Sequence, residues 1–217
     1  MNQLRRFTLV MLALALLAAP AALAKEKQKG ELVPVPNRIA GMTGGELLGE
    51  GWVDFLAVPA GTFSGGCVPV AHKIVSPEVD ADGNASCTVR KGTTIMLFLG
   101  SECSNVEEEP FFGADARQQR QCAIEADEFF VSALVSLDGG APVEQVAPRF
   151  EEISPQRSVE LPPDNVLGVD PGPATFVAHG WVVLVQKLDP GEHLLTGTVT
   201  TDDGITTPFR IAITVVK

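Results

Sequence analysis

The last third of the chain leaves little freedom in what it can become. Trp181 to Leu188 is an apolar run, Asp189-Pro190-Gly191 is a turn, and His193 to Thr200 returns, rich in Thr and Val. After Asp203-Gly204, the residues Ile205, Thr207, Phe209, Ile211, Ile213 and Val215 share one face of an extended chain, with Thr206, Arg210 and Thr214 on the other. A strand with one buried face imposes this period, because successive side chains point to opposite sides. The pattern predicts a three-stranded antiparallel meander. Upstream, Val131, Ala133, Val135 and Leu137 alternate with Ser132 and Ser136, and Asp138-Gly139-Gly140 turns the chain. Cys87 to Arg90 and Thr94 to Leu99 read as strands, the second apolar on both faces and therefore central. Lys73 to Val79 reads as an edge strand, since Pro77 cannot donate to a ladder. Short strands separated by turn chemistry predict a mainly β chain, an antiparallel β-sandwich of jelly-roll or Ig-like kind.

Two segments break the strand pattern. Thr43 precedes Glu46 by three residues, a capping box, and Leu48, Trp52 and Leu56 recur at spacing four with Leu47 and Phe55 beside them. This predicts a helix over 44–57, stopped by Pro59. A second helix is expected over 114–130, with Cys122, Ala123, Ala126, Phe129 and Phe130 on its packed face. Ala60 to Gly66, including Ser64, reads as a Gly-rich loop.

The N-terminus supplies a compartment. Arg5 and Arg6, an apolar run from Leu9 to Ala19, Pro20 and the exit Ala22-Leu23-Ala24 have the layout of a secretory signal peptide over 1–24. The run is too short to span a bilayer, which needs about 20 apolar residues. Lys25 stands where a lipid-modified Cys would, and the residues around Arg5-Arg6 fit general secretion better than a twin-arginine route. Residues 25–40, with Pro34 and Pro36, read as an extended lead-in to a single disulfide-braced sandwich domain over 41–217. No later segment is apolar enough for a span; Ile95 to Leu99 is a buried-strand run. The expected product is secreted or periplasmic, with no integral membrane segment after cleavage.

Behind an export signal, four cysteines imply disulfides: Cys67, Cys87, Cys103 and Cys122. Three pairings exist. Cys67–Cys87 with Cys103–Cys122 is favoured here, as two sequential loops of similar length. The four form no CxxC pair and no His sits at finger spacing, which argues against zinc. The net charge is −11, and Arg5 and Arg6 both lie in the leader, so the cleaved chain is more acidic still. Such a surface repels phosphate backbones, and there is no basic stripe, so nucleic acid is excluded as a partner. The 45% hydrophobic and 20% charged content reads as globular.

Residues that carry chemistry are few. Asp80, Asp82 and Asn84 resemble the start of a calcium loop, where alternating oxygens would serve a hard cation. Gly83 comes too early, however, and the twelfth position holds Lys91 rather than Glu. A polar hairpin tip is the expectation. Glu107, Glu108 and Glu109, with Glu102 and Asp115 nearby, read as a solvated acidic loop; as a cation site they would be the weak alternative. His72, His179 and His193 stand at no metal-ligand spacing, and His179 and His193 read as rim residues flanking strands. GxSxG, HExxH and P-loop signatures are absent. Trp52 and Trp181 read as core residues rather than sugar-stacking platforms. No catalytic, cofactor-binding or metal residue is therefore assigned.

Several stretches, in order, resemble a family of uncharacterised secreted bacterial proteins. They are the Gly-x-Thr-x-Gly-Glu entry to a Trp-bearing helix at Gly41 to Val58, Cys-Thr-Val-x-x-Gly-Thr at Cys87 to Thr93, and Glu-Cys-Ser at Glu102-Cys103-Ser104. Asp164-Asn165-Val166-Leu167-Gly168, the strand led by Trp181, and Leu-x-Pro-Gly-x-His-x-Leu at Leu188 to Leu195 complete the set. The chain departs from the family at Val68 to Val79, where a Trp-Phe-Leu strand is usual. The resemblance implies an exported fold and brings no catalytic residues. In a bacterial host, Asn84-Ala85-Ser86 is an incidental glycosylation sequon. The functional expectation is a non-catalytic binding or envelope-associated module. The alternative is a calcium-assisted carbohydrate-binding domain or hydrolase using acidic loops at one end of the sandwich.

Overall fold

The computed structural model describes residues 30–63 and 65–217. The expected leader over 1–24, the start of the lead-in and Ser64 lie outside the described residues. The strands are β1 Glu31–Pro34, β2 Cys67–Ala71, β3 Ile74–Pro77, β4 Asn84–Arg90, β5 Thr94–Ser104 and β6 Phe130–Leu137. They continue as β7 Val143–Glu144, β8 Glu151–Ile153, β9 Arg157–Leu161, β10 Gly172–Gln186, β11 Gly191–Thr201 and β12 Thr206–Val216. The helices are α1 Gly44–Leu56 and α2 Ala116–Ala126.

The strands form two sheets, as a sandwich requires. The first is built on β10, which pairs β5 along one edge; β1, β8 and β9 share the other edge in tandem. Beyond β5 lie β3 and then β2. The second sheet runs β4-β12-β11-β6-β7. Most pairs are antiparallel; β3 with β5 and β4 with β12 are parallel. Apolar side chains of both inner faces meet between the sheets: Ile95, Leu97, Val183 and Val185 against Val135, Leu195, Ile211 and Ile213. On the outer face of the first sheet, Leu47, Leu48 and Leu56 of α1 pack against Met96, Phe176, Val182 and Leu184. Thus β10 is covered on both sides, which is why it reads as an unbroken apolar run.

The sequence expectation for α1 holds. The Thr43 hydroxyl accepts from the Glu46 N–H, and the Glu46 carboxylate accepts from the Thr43 N–H at 2.7 Å. The second helix is shorter than expected: it starts after Asp115, whose carboxylate accepts from the N–H groups of Arg117 and Gln118 at 2.9 Å each. It ends at Ala126, and a 3-10 turn, Asp127–Phe129, leads directly into β6. The helical spacing of Phe129 and Phe130 was misleading because Phe130 already belongs to a strand. The buried side chains of α2 are Gln119 and Ala123.

The predicted meander is corrected. β11 and β12 form a hairpin, but β10 lies in the other sheet, and β6 takes the place beside β11. Lys187 adopts φ 58°, leaving extended geometry just after β10, and Leu188 turns into the core between the sheets. The chain crosses from one sheet to the other there. The edge-strand reading of Lys73 to Val79 is corrected too: β3 lies between β5 and β2, with Pro77 at its end, and β2 is the edge. Both disulfides form as expected, with Cα–Cα distances of 5.3 Å for Cys67–Cys87 and 6.0 Å for Cys103–Cys122. The first joins β2 of one sheet to β4 of the other; the second ties β5 to α2.

Gly100 and Gly180 oppose each other in the β5–β10 ladder. A Cβ on either would come within 2.1 Å of a backbone carbonyl oxygen across the pair. Only glycine permits this close approach. The pair marks the point where β5 and β10 pass from the cover of the second sheet to the cover of α2.

Candidate functional site

Two places in the fold concentrate unusual chemistry. The first is a cavity of about 430 Å³ near the β2–β3 end of the first sheet. Its origin lies in strand pairing. The parallel pairing of β3 with β5 covers only Ile74 and Val75, after which Ser76, Pro77 and Glu78 lead away. The gap beside Leu97, Phe98 and Leu99 is roofed by Trp52 and Phe55 from α1, by Phe63, and by Val68 and Val70 of β2. The second sheet contributes Val199, Phe209 and Ile211. The lining is therefore largely apolar and aromatic, the usual character of a small-molecule site.

The aromatic rings touch one another. Trp52 meets Phe55 edge-on at 5.4 Å between centroids and Phe98 at 5.9 Å, and Phe55 stacks on Phe63 at 5.0 Å. Trp52 Nε1 is buried and has no acceptor among the described residues. Asp54, Glu78 and Asp80 also line the cavity. Burial, and then the charge of Glu78, raises the Asp54 carboxyl above its ordinary value; burial alone raises Glu78. Their side chains have no hydrogen-bond or ion-pair partner among the described residues.

The second place is a polar cluster on the inner face of the first sheet. His179 of β10 is 6% exposed, so the reading of it as a rim residue is corrected. Its Nδ1 lies 2.7 Å from Asp127 Oδ2 and its Nε2 lies 3.1 Å from Glu151 Oε1. Asp127 comes from the 3-10 turn after α2, and Glu151 opens β8. The sequence hid this because the three lie far apart in the chain and only pairing brings them together. Burial lowers the His179 pKa, but the hydrogen bonds and charges of Asp127 and Glu151 outweigh it, and the net shift is upward. Burial also raises Asp127, against the hydrogen bonds of His179 and Ser101 that lower it. The arrangement is no nucleophilic triad: Glu151 occupies the ring nitrogen that would take a proton from a hydroxyl or thiol. Its chemistry is that of a charged hydrogen-bonded brace.

The acidic residues singled out from the sequence do not converge. Asp80 Oδ1 accepts from the N–H groups of Asp82 at 3.0 Å and Asn84 at 2.8 Å, so the carboxylate closes its own turn. That turn is not the expected hairpin tip, for it carries the chain from β3 in one sheet to β4 in the other. Glu102 is corrected from a loop residue to a β5 residue, 5% exposed. It faces Glu107, which accepts from the Ser104 hydroxyl at 2.9 Å. Burial, and then the neighbouring Glu107 charge, pushes Glu102 well above the carboxylate range. Glu108 and Glu109 remain exposed. Among the described residues, no group of three or more His, Cys, Asp and Glu side chains is placed to hold a metal ion. His193 stays near the surface, with Nδ1 2.7 Å from Asp138 Oδ2 and Nε2 2.9 Å from the Asp189 carbonyl, linking two turns. Trp181 is buried as expected, whereas Trp52 is half-buried at the cavity.

No protein-family model and no curated protein matches this chain. Among solved structures, the solution structure of Amebosin aligns with 12% identity over 66% of this chain and 96% of that one, at a TM-score of 0.25. A score at that level does not establish a shared fold.

Proposed function

We propose that this protein is an exported, non-catalytic binding module whose ligand occupies the cavity between α1, the β2–β3 end of the first sheet and the β11–β12 hairpin. The observation that carries this reading is the cavity itself: about 430 Å³, with a wall assembled from both sheets and a helix. Concave, mostly apolar clefts of this size are the usual form of small-molecule sites. Trp52 Nε1 adds to it, because a buried N–H without an acceptor is costly unless a ligand supplies one. The export part of the reading is supported by the two disulfides. No helix among the described residues is long and apolar enough to cross a membrane.

The test is titration of the full chain, lacking only 1–24, with the neutral dye N-phenyl-1-naphthylamine. Saturable fluorescence enhancement at one dye per chain is expected, and Val68→Trp, which fills the cavity, abolishes it. Absence of saturable uptake, or equal uptake by the filled variant, refutes the cavity as a site.

A further inference from the structure

The geometry points to an organic cation, an alkyl- or arylammonium group on an apolar body, as the class of ligand taken by the cavity. This rests on the binding-site reading above and specifies it. Two features of the wall coincide. The first is the contiguous aromatic set, Trp52, Phe55, Phe63 and Phe98, whose ring faces carry negative potential. The second is the pair Asp54 and Glu78, brought to the same wall from α1 and the end of β3.

Charge on the wall is of one sign. Among the described residues that line the cavity, three are acidic and no Lys, Arg or His balances them. Some half-buried charges of the protein are partnered, Arg157 with Glu50 and His179 with Asp127 and Glu151, whereas Glu102 faces another carboxylate, Glu107. Asp54 and Glu78 lack such partners among the described residues and sit close enough to repel each other. Two like charges held near each other beside apolar groups are unfavourable, and either protonation or an arriving counter-charge relieves them. An ammonium centre relieves that repulsion and faces the aromatic rings at the same time. An anionic ligand meets the same carboxylates as a barrier. Asp80 contributes charge but not a free carboxylate, since one oxygen already closes the turn at Asn84.

The experiment compares two ligands of the same shape, phenyltrimethylammonium and tert-butylbenzene, by displacement of N-phenyl-1-naphthylamine. The cation is expected to bind at least about tenfold more tightly than its neutral twin. In the double variant Asp54→Asn, Glu78→Gln, the ratio of the two affinities falls to near one. The single variant Asp54→Asn, checked by circular dichroism for its fold, gives an intermediate ratio. Equal or weaker binding of the cation, or a preference that survives the double variant, overturns the inference while leaving the cavity a site. Failure of the dye itself to bind overturns the cavity reading instead.

Discussion

Single residues in this protein matter through what surrounds them, and His179 shows it best. In the charged form both ring N–H groups donate, one to Asp127 and one to Glu151. Its folded pKa is raised above the ordinary value of about 6.5, so the cluster contributes stability in full below that value. The contribution is lost as pH rises through the higher folded pKa. His193 is raised as well and adds a change of the same sign. The effect of His179 is therefore read as a difference: the urea midpoint of the parent falls between pH 6 and pH 9, and that of His179→Asn falls less. Equal slopes refute the brace. Asp127→Asn is expected to cost about 2 kcal/mol at pH 6, the scale of a hydrogen bond to a charged group. At Gly100 and Gly180 the argument is steric. A methyl group 2.1 Å from a backbone oxygen cannot be accommodated by side-chain movement, so Gly100→Ala or Gly180→Ala is expected to cost about 3 kcal/mol or more in urea unfolding. A loss within 0.5 kcal/mol, about the size of a surface effect, would show that the ladder flexes there.

Elements were legible where the rule that makes them is local. The α1 capping box and its four-residue apolar spacing were readable because both partners lie within one turn. The strands β5, β6, β11 and β12 announced themselves through alternation or apolar runs. Where elements failed, a long-range demand had won. α2 stops at Ala126 because Phe130 must enter the ladder with β11, where it pairs with Thr201. β10 leaves the meander because both its faces find cover in the other sheet, between the inter-sheet core and α1. Turn chemistry at Asp189-Pro190-Gly191 marked where the chain would turn, not which sheet it would enter.

At the scale of the whole molecule, the two disulfides make different contributions. Cys67–Cys87 ties the β2 edge of one sheet to the β4 edge of the other, beside the cavity. Cys103–Cys122 fastens α2 to β5, away from it. The loops are nearly equal, 20 and 19 residues apart, so chain entropy assigns each removal a similar cost of about 3 kcal/mol. Dye uptake separates them: replacing Cys67 and Cys87 by Ser is expected to weaken uptake several-fold, and replacing Cys103 and Cys122 is not. Equal effects would place the cavity's rigidity elsewhere. What the amino-acid sequence determined by itself was the class of the fold, α1 and the acidic balance; it favoured one cysteine pairing of three, and the structure forms that one. The first three follow from period, spacing or composition, which are properties of neighbouring residues. The tertiary structure alone decided that Asp54 and Glu78 share a wall with five aromatic rings, and that His179 is held between two carboxylates. Asp54, Trp52 and Phe55 share α1, but Glu78, Phe63 and Phe98, like the three members of the His179 cluster, come from separate segments, and only the register and layering of the sheets bring them within reach of one another.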